Sequence, residues 1–356
     1  MLDRIYIFVK YNFYFLLSYI FVKYKKTWKK YKILNNSLKD KKHELNSSCV
    51  LFKYYYTKEI RSANLGDYIQ TIATHEILKQ HKSYNFTYWD RDDLNNYPNN
   101  SIAIMQGWFS HTITFIPNRN ITPIYIGTHF NKYIQNFISR YPFLLKNYEI
   151  GCRDLYTLNF LKSNGFNAYF SRCLTLTLPK REENPNQNKV FLVNIDLEIK
   201  KLLPNKIQQE GVMINQKNII GNYDDFKHNW KLYYDNAKEI LDKYKNEAKL
   251  IITTALHCAS PCIAMGIPVI LISDDPSEQL SRFSALEGII KIYTIEDLKN
   301  DKIDFNPELI DIEQLKQYML ENIKLTLKKN LKENIDEGRL LFIRKEIAKN
   351  WLNHRR

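Results

Sequence analysis

Lys249–Ser273 reads KLIITTALHCASPCIAMGIPVILIS. The run Leu250–Thr254 is β-branched and aliphatic, the composition of a strand buried on both faces. The chain then turns at Ala255-Leu256-His257, and Cys258–Met265 has the length and small residues of a short helix. Gly266 stands at the helix C-cap position, and Pro268 precedes a second apolar run, Val269–Ile272. Strand, tight turn, helix and strand within so short a stretch make a βαβ unit, the building block of a doubly wound parallel sheet. His257 falls where the strand's carboxyl end meets the helix N-terminus. Open α/β sheets bind ligands there, and free backbone N–H groups favour an anion.

Outward from this unit the same alternation recurs. Toward the N-terminus, Cys49–Tyr56 reads as a strand. A loop then ends at Asn64-Leu65-Gly66-Asp67, and Tyr68–Gln80 has helical spacing with Asp67 as its N-cap. Ser101–Met105 and Pro123–Gly127 are further strands, followed by Gln106-Gly107-Trp108-Phe109 and Thr128-His129-Phe130. Tyr148–Cys152 leads through Arg153-Asp154 into a helix, Leu155–Asn164, stopped by Gly165. A short strand, Ala168–Phe170, precedes Ser171-Arg172-Cys173. The polar stretch 180–188 marks a domain boundary, and Val190–Ile195 restarts a sheet. Positions 200–247 read as mainly polar helical material, and Ile289–Tyr293 as a last strand. Apolar residues then recur at helical spacing, first Ile312, Leu315, Met319 and Ile323, then Leu340, Ile343, Ile347 and Trp351. The expected organisation is an N-terminal extension over 1–45, α/β domains over 46–183 and 189–305, and C-terminal helices over 306–356.

The charge is uneven. Of a net +14, eight charges lie in residues 1–45, which hold eleven Lys/Arg against three Asp/Glu. A nucleic-acid binder spreads its cations over a folded face, so the charge does not point to nucleic acid. Residues 2–23 are apolar and aromatic, but the longest uncharged run, Tyr11–Val22, is twelve residues. A spanning helix needs about 20, and no small-residue cleavage site follows. With the basic-aromatic stretch Tyr24–Lys32 behind it, this segment reads as an interfacial helix and a patch for anionic lipid. The other reading is an extension packed on the same protein. The five cysteines are odd in number and lack C-x-x-C spacing, which disfavours a zinc cage or a disulfide framework and makes a reducing cytosol the default. Ten glycines include no G-x-G-x-x-G or Walker loop, so any anion must be held by other groups.

The organising stretch resembles the signature of polysaccharide pyruvyl transferases, a Thr-Ser-Arg-Leu-His turn followed by a small-residue helix and Gly-x-Pro-Val. Here the residues are Thr253-Thr254-Ala255-Leu256-His257 and Gly266-Ile267-Pro268-Val269. The resemblance extends in order to Asn64, Gly66, Asp67 and Gln70, to Gly107-Trp108-Phe109, to Gly127-Thr128-His129-Phe130, to Arg153-Asp154, to Ser171–Thr175, and to Arg282-Phe283. It implies two facing Rossmann-like domains across a cleft; by analogy with other two-Rossmann transferases, a terminal helix is expected to fold back over both. It also implies transfer of pyruvate from phosphoenolpyruvate to two sugar hydroxyls as a ketal. On that reading His257 is the catalytic acid/base or phosphate contact. Arg153, Arg172 and Arg282 hold the anionic donor, and Asn64, Asp67, Gln70, Trp108 and His129 line the substrate site. No cofactor or metal is expected; phosphoenolpyruvate is a substrate. The partners are a glycan or its lipid-linked precursor and an anionic membrane surface, with the protein peripheral on the cytoplasmic face.

The sequence departs from the pattern at Ala255, where the family carries arginine. Another arginine compensates, the donor differs, or transfer activity is lost. Two other readings remain open on sequence: a two-domain glycosyltransferase using a nucleotide sugar, and a non-catalytic glycan- or lipid-binding protein.

Overall fold

The computed structural model describes residues 48–54, 62–81, 83–182, 188–219, 229–274 and 282–352, with Lys25, Lys30, Lys32, Ile33 and Asn36 ahead of them. Most of the expected lipid-facing extension, part of the boundary at 180–188 and His228 lie outside the described residues.

The first α/β unit contains β1 (Ser48–Lys53), β2 (Ser62–Asn64), α1 (Leu65–His81), β3 (Asn85–Asp90), β4 (Ser101–Ile104) and β5 (Gly107–Phe109). It continues with β6 (Ile121–Phe130), α2 (Lys132–Arg140), β7 (Ile150–Cys152), α3 (Leu155–Ser163) and β8 (Ala168–Phe170). Its parallel sheet has the order β3-β1-β4-β6-β7-β8, with β5 also on β6. The second unit contains β9 (Lys189–Val193), α4 (Leu197–Lys201), α5 (Asn205–Glu210), β10 (Val212–Ile214), β11 (Lys217–Ile219), α6 (Trp230–Glu247), β12 (Ala248–Thr253) and α7 (Leu256–Ala264). β13 (Val269–Ser273), β14 (Ile292–Thr294) and α8 (Ile295–Lys299) complete it. Its sheet is also parallel, in the order β10-β9-β12-β13-β14. Each sheet is Rossmann-like in order, and each reverses its winding once, between β1 and β4 and between β9 and β12. Those reversals open the crevices where ligands bind in such sheets.

The second sheet shows why its strands read as unbroken apolar runs. Phe191, Val193, Ile251, Val269 and Leu271 face the main core, which continues into the first unit. Leu192, Leu250, Ile252, Ile270 and Ile272 alternate with them and face a second core with Ile199, Leu203 and Leu298. Both faces are covered, so no polar alternation appears.

Helix α1 lies between the units, against β1, α6, α7 and the 3-10 turn Leu174–Thr177. Most of its circumference is therefore buried, including Gln70, Thr71 and Thr74. The hydroxyls are satisfied internally: Thr71 donates to the Phe52 carbonyl at 2.8 Å and Thr74 to that of Gln70 at 3.0 Å. β2 and β11 pair antiparallel, Asn64 opposite Lys217, and so tie the start of α1 to the second unit. Trp230 and Tyr234 on α6 meet Tyr88 on β3 at 4.5 and 5.6 Å between ring centroids.

The C-terminal helices α9 (Glu313–Asn330) and α10 (Glu337–Ala348) bury Leu315, Met319, Ile323, Leu340, Ile343 and Ile347, as their spacing predicts. Trp351 lies beyond α10 in a turn rather than on it, and its indole N–H donates to the Glu346 carbonyl at 3.1 Å. The polar region 200–247 is less helical than its sequence suggests, because it contains β10 and β11. Each is only three residues long and β10 is an edge strand, too short to show a period. Ile33 is buried, and its carbonyl accepts from Asn95 at 3.3 Å, so this part of the extension packs on the first unit.

Candidate functional site

The turn carrying His257 is pinned from β9. Thr253 Oγ1 accepts from the Ala255 N–H at 3.0 Å and donates to the Val193 carbonyl at 3.0 Å, and Thr254 Oγ1 donates to the Asn194 carbonyl at 2.9 Å. His257 therefore enters α7 at the second sheet's winding reversal, with φ −84° and ψ 15° in place of helical values. Opposite it is the start of α1. A Cβ on Gly66 would lie 2.9 Å from the Cβ of His257 and 3.1 Å from its Nδ1, so only glycine admits the imidazole there. The Gly66 N–H donates to Asn64 Oδ1 at 3.1 Å, Leu65 N–H donates to the Gln216 carbonyl at 2.8 Å, and Gln216 Nε2 donates to the His257 carbonyl at 3.3 Å.

His257 keeps some exposure as a residue, yet its Nε2 is enclosed and has no hydrogen-bond partner. Burial, followed by the positive charges of Arg153 and Arg282, holds the imidazole well below its usual pKa. An anion bound here would offset the repulsion from both guanidinium groups and accept a hydrogen bond from the ring once that nitrogen carries a proton.

Arg153 is almost fully enclosed just past β7. Its Nη1 donates to Gln70 Oε1 at 3.4 Å, and its Nε sits 3.5 Å from Asp154 Oδ2 without a hydrogen bond. Asp154 caps α3 through the Thr157 N–H at 2.9 Å and holds His129 Nδ1 at 2.6 Å. Burial pushes His129 down in pKa, opposed by Asp154 and reinforced by Arg153. Trp108 is 39 % exposed and lies edge-on to His129.

A pocket of ≈ 500 Å³ opens at the carboxyl ends of β9 and β12, lined by residues including Asn194, Asp196, Lys217, Thr254, Asp274 and Arg282. Thr254, next in sequence to Ala255, shares this pocket with the cations Lys217 and Arg282.

The structure thus gathers Asn64, Gln70, Arg153, His257 and Arg282, with His129 and Trp108 connected through Asp154. Two expectations change. Asp67 is not the N-cap of α1: the helix begins two residues earlier, because the Asn64 side chain and the Gln216 carbonyl engage its first N–H groups. Asp67 lies within the first turn, where its carboxylate accepts from Gln70 Nε2 at 3.4 Å and faces the positive helix end. Arg172 is committed inside the fold. Its guanidinium donates to the carbonyls of Ile347, Ala285, Glu287 and Lys349 at 2.7–3.1 Å, and its φ is 60°. That network joins the turn after β8 to the C-terminus and leaves Arg172 unsuited to hold a donor.

Sequence reading passed over Lys217 and Gln216, which sit in polar sequence with no motif. The role of Asp154 was available from its place at a helix start, but its bond to His129 was not. Among the described residues no three His, Cys, Asp or Glu side chains converge on a metal position.

The model of the family described as polysaccharide pyruvyl transferase matches residues 64–276, more than half of the chain. The chain belongs to the polysaccharide pyruvyl transferase family. The match begins at Asn64 and covers α1, the Arg153 turn and the His257 turn, so Asn64, Gln70, Arg153 and His257 lie within the matched span and Arg282 lies just past it. No curated protein and no solved structure gives a significant match.

Proposed function

We propose that the protein transfers pyruvate from phosphoenolpyruvate to two hydroxyls of a cell-surface glycan or its lipid-linked precursor, closing a cyclic ketal and releasing phosphate. The observation that carries this reading is the enclosed, unpartnered Nε2 of His257 beside Arg153 and Arg282. Phosphoenolpyruvate brings a carboxylate and a phosphate, and charge-assisted donors are the groups that hold them. Arg282 and Lys217, beside Thr254 in the pocket, supply positive charge where Ala255 supplies none. The winding reversals of two Rossmann-like sheets form the two walls of the donor and acceptor cleft on this reading.

The electrostatics then give His257 its proton at the right moment. Without donor the imidazole is neutral. Phosphate beside it raises its pKa, so it takes up a proton that it can deliver to the methylene carbon. The carbon that bears phosphate becomes cationic and open to a sugar hydroxyl. The basic, aromatic residues 1–32 place the enzyme on anionic lipid at the cytoplasmic face, which raises its concentration at a lipid-linked acceptor.

Thermal unfolding of the purified protein with phosphoenolpyruvate, and separately with nucleotide sugars, tests the donor. The expected result is a concentration-dependent rise in midpoint with phosphoenolpyruvate alone, absent in His257→Ala. A rise only with a nucleotide sugar would overturn the proposal in favour of glycosyl transfer.

A further inference from the structure

Arg153 links a second histidine, His129, to His257, and the surroundings of His129 suit the other half of the reaction. β6 bends at Gly127, where φ is 71° and the pairing with β7 shifts register. Bulges of this kind re-aim side chains at strand ends. Beyond the bend, β6 pairs with β5 so that Trp108 stands directly opposite His129. The indole approaches the imidazole edge-on at 5.4 Å between centroids, and the Tyr156 ring stacks on it at 5.9 Å, with 20° between planes. The imidazole is therefore fixed in orientation.

Asp154 fixes its tautomer. The carboxylate is fully buried, with one oxygen on the Thr157 N–H and the other 2.6 Å from His129 Nδ1. An ionised carboxylate accepts only, so Nδ1 carries the hydrogen and Nε2 keeps its lone pair. Thr157 Oγ1, 3.3 Å from Nδ1, takes its hydrogen-bonding role from the Phe130 N–H, which donates to it at 3.2 Å. Among the described residues His129 Nε2 has no hydrogen-bond partner. A buried aspartate behind a histidine whose far nitrogen is free is the arrangement that activates a hydroxyl. Arg153 joins the two centres, since it touches Asp154 and acts electrostatically on both histidines.

We propose that His129 is the base that takes the proton of the attacking sugar hydroxyl, that Asp154 positions it, and that the exposed face of Trp108 is the platform for the sugar ring. This rests on the pyruvyl-transfer reading. His257 gives a proton to the methylene carbon, whose π pair forms the new C–H bond. The first hydroxyl oxygen then bonds to the adjacent carbon, and its O–H proton passes to His129 Nε2. The second hydroxyl forms the second C–O bond as the carbon–phosphate ester bond breaks, with the electron pair and one proton leaving on phosphate. Of the diol's two protons one rests on His129 and one leaves on phosphate; His129 then gives its proton to water and His257 takes one from water, which closes the cycle.

The test uses full-length protein, radiolabelled phosphoenolpyruvate and polysaccharide from the producing cell, stripped of ketals by mild acid. In deuterated water the donor's methylene exchange reports the His257 half alone. His129→Ala and His129→Gln are expected to keep the donor-induced thermal shift and the exchange, and to lose transfer about 100-fold or more, the usual contribution of a general base. Added imidazole restores transfer in His129→Ala. Trp108→Ala raises the polysaccharide concentration needed for half-maximal transfer and leaves the donor shift in place. Transfer by His129→Gln close to wild type overturns the base, as does a loss that imidazole does not relieve or one accompanied by loss of the donor shift. An unchanged half-saturation in Trp108→Ala overturns the platform. Wild-type protein that neither shifts with donor nor transfers defeats the pyruvyl reading itself, a result distinct from all of these.

Discussion

His257 and Arg172 show how far one side chain's surroundings decide its role. Each sits just past a strand and is followed by a cysteine, yet one ends with an unpartnered ring nitrogen and the other as a four-way donor to carbonyls. The state of His257 has a measurable consequence. Its folded pKa lies well below 6.5, so between those values the unfolded chain binds the proton and the folded one does not. Its contribution to stability is therefore whole above the unfolded value and declines as pH falls below it, by about 1.4 kcal/mol per pH unit at most. His129 acts in the same sense. Asp90, which burial pushes up to about 7, acts in the opposite sense, so the comparison must be with a variant. Urea unfolding from pH 7 to pH 5 should show a shallower loss of stability in His257→Asn than in wild type. Equal slopes would show that the imidazole titrates freely in the folded protein.

At the level of elements, the start of α1 is the most constrained join. Helix α1 reads plainly in sequence, from Ile69, Ile72, Ala73 and Ile77, because local spacing sets which residues share a face. Its first turn does not, because the capping groups come from Asn64 and from Gln216 on the other unit. Gly66 has an ordinary φ, so alanine costs no backbone strain there and favours the helix by roughly 0.5–1 kcal/mol. The added methyl would nonetheless meet His257 at 2.9 Å. Gly66→Ala is thus expected to unfold within a few degrees of wild type while donor affinity and transfer fall about tenfold or more, since ångström-scale misplacement of a catalytic group carries losses of that order. Titration of the thermal midpoint with phosphoenolpyruvate checks both parts, and undiminished affinity would mean that the imidazole has room to move. β10 and β11 were invisible for the complementary reason: three residues hold less than two full periods of alternation, and their pairing is set by distant strands.

On the scale of the whole molecule, α1, the β2–β11 ladder and the Arg172 network hold the two sheets and the C-terminal helices together. Ile33 and Asn36 belong to this assembly, since Ile33 is buried and Asn36 donates to Asn95 at 3.3 Å. Ile33 and Asn36 are thus committed to the fold, which limits the proposed lipid-binding segment to the residues ahead of them. Removal of residues 1–32, leaving Ile33 and Asn36 in place, is expected to abolish flotation with vesicles rich in anionic lipid and to spare the donor-induced thermal shift. Continued flotation of the truncated protein would place lipid binding elsewhere on the chain. Among the described residues no helix is long and apolar enough to cross a membrane.

The sequence by itself determined the parallel α/β class, the βαβ unit around His257 and the family, because these depend on local periodicity, turn residues and the order of short motifs. Burial on both faces makes β12 and β13 legible as continuous apolar runs, and a glycine at a C-cap marks where α7 must stop. Only the tertiary structure decided what each arginine bonds to. A guanidinium on a flexible stem bonds to whatever chain segment is brought over it, and for Arg153 that is Gln70 on α1, whereas for Arg172 it is the carbonyls of residues more than a hundred positions away. The same holds for His129 and Asp154, twenty-five residues apart and joined only because β6 and β7 are neighbours in the sheet.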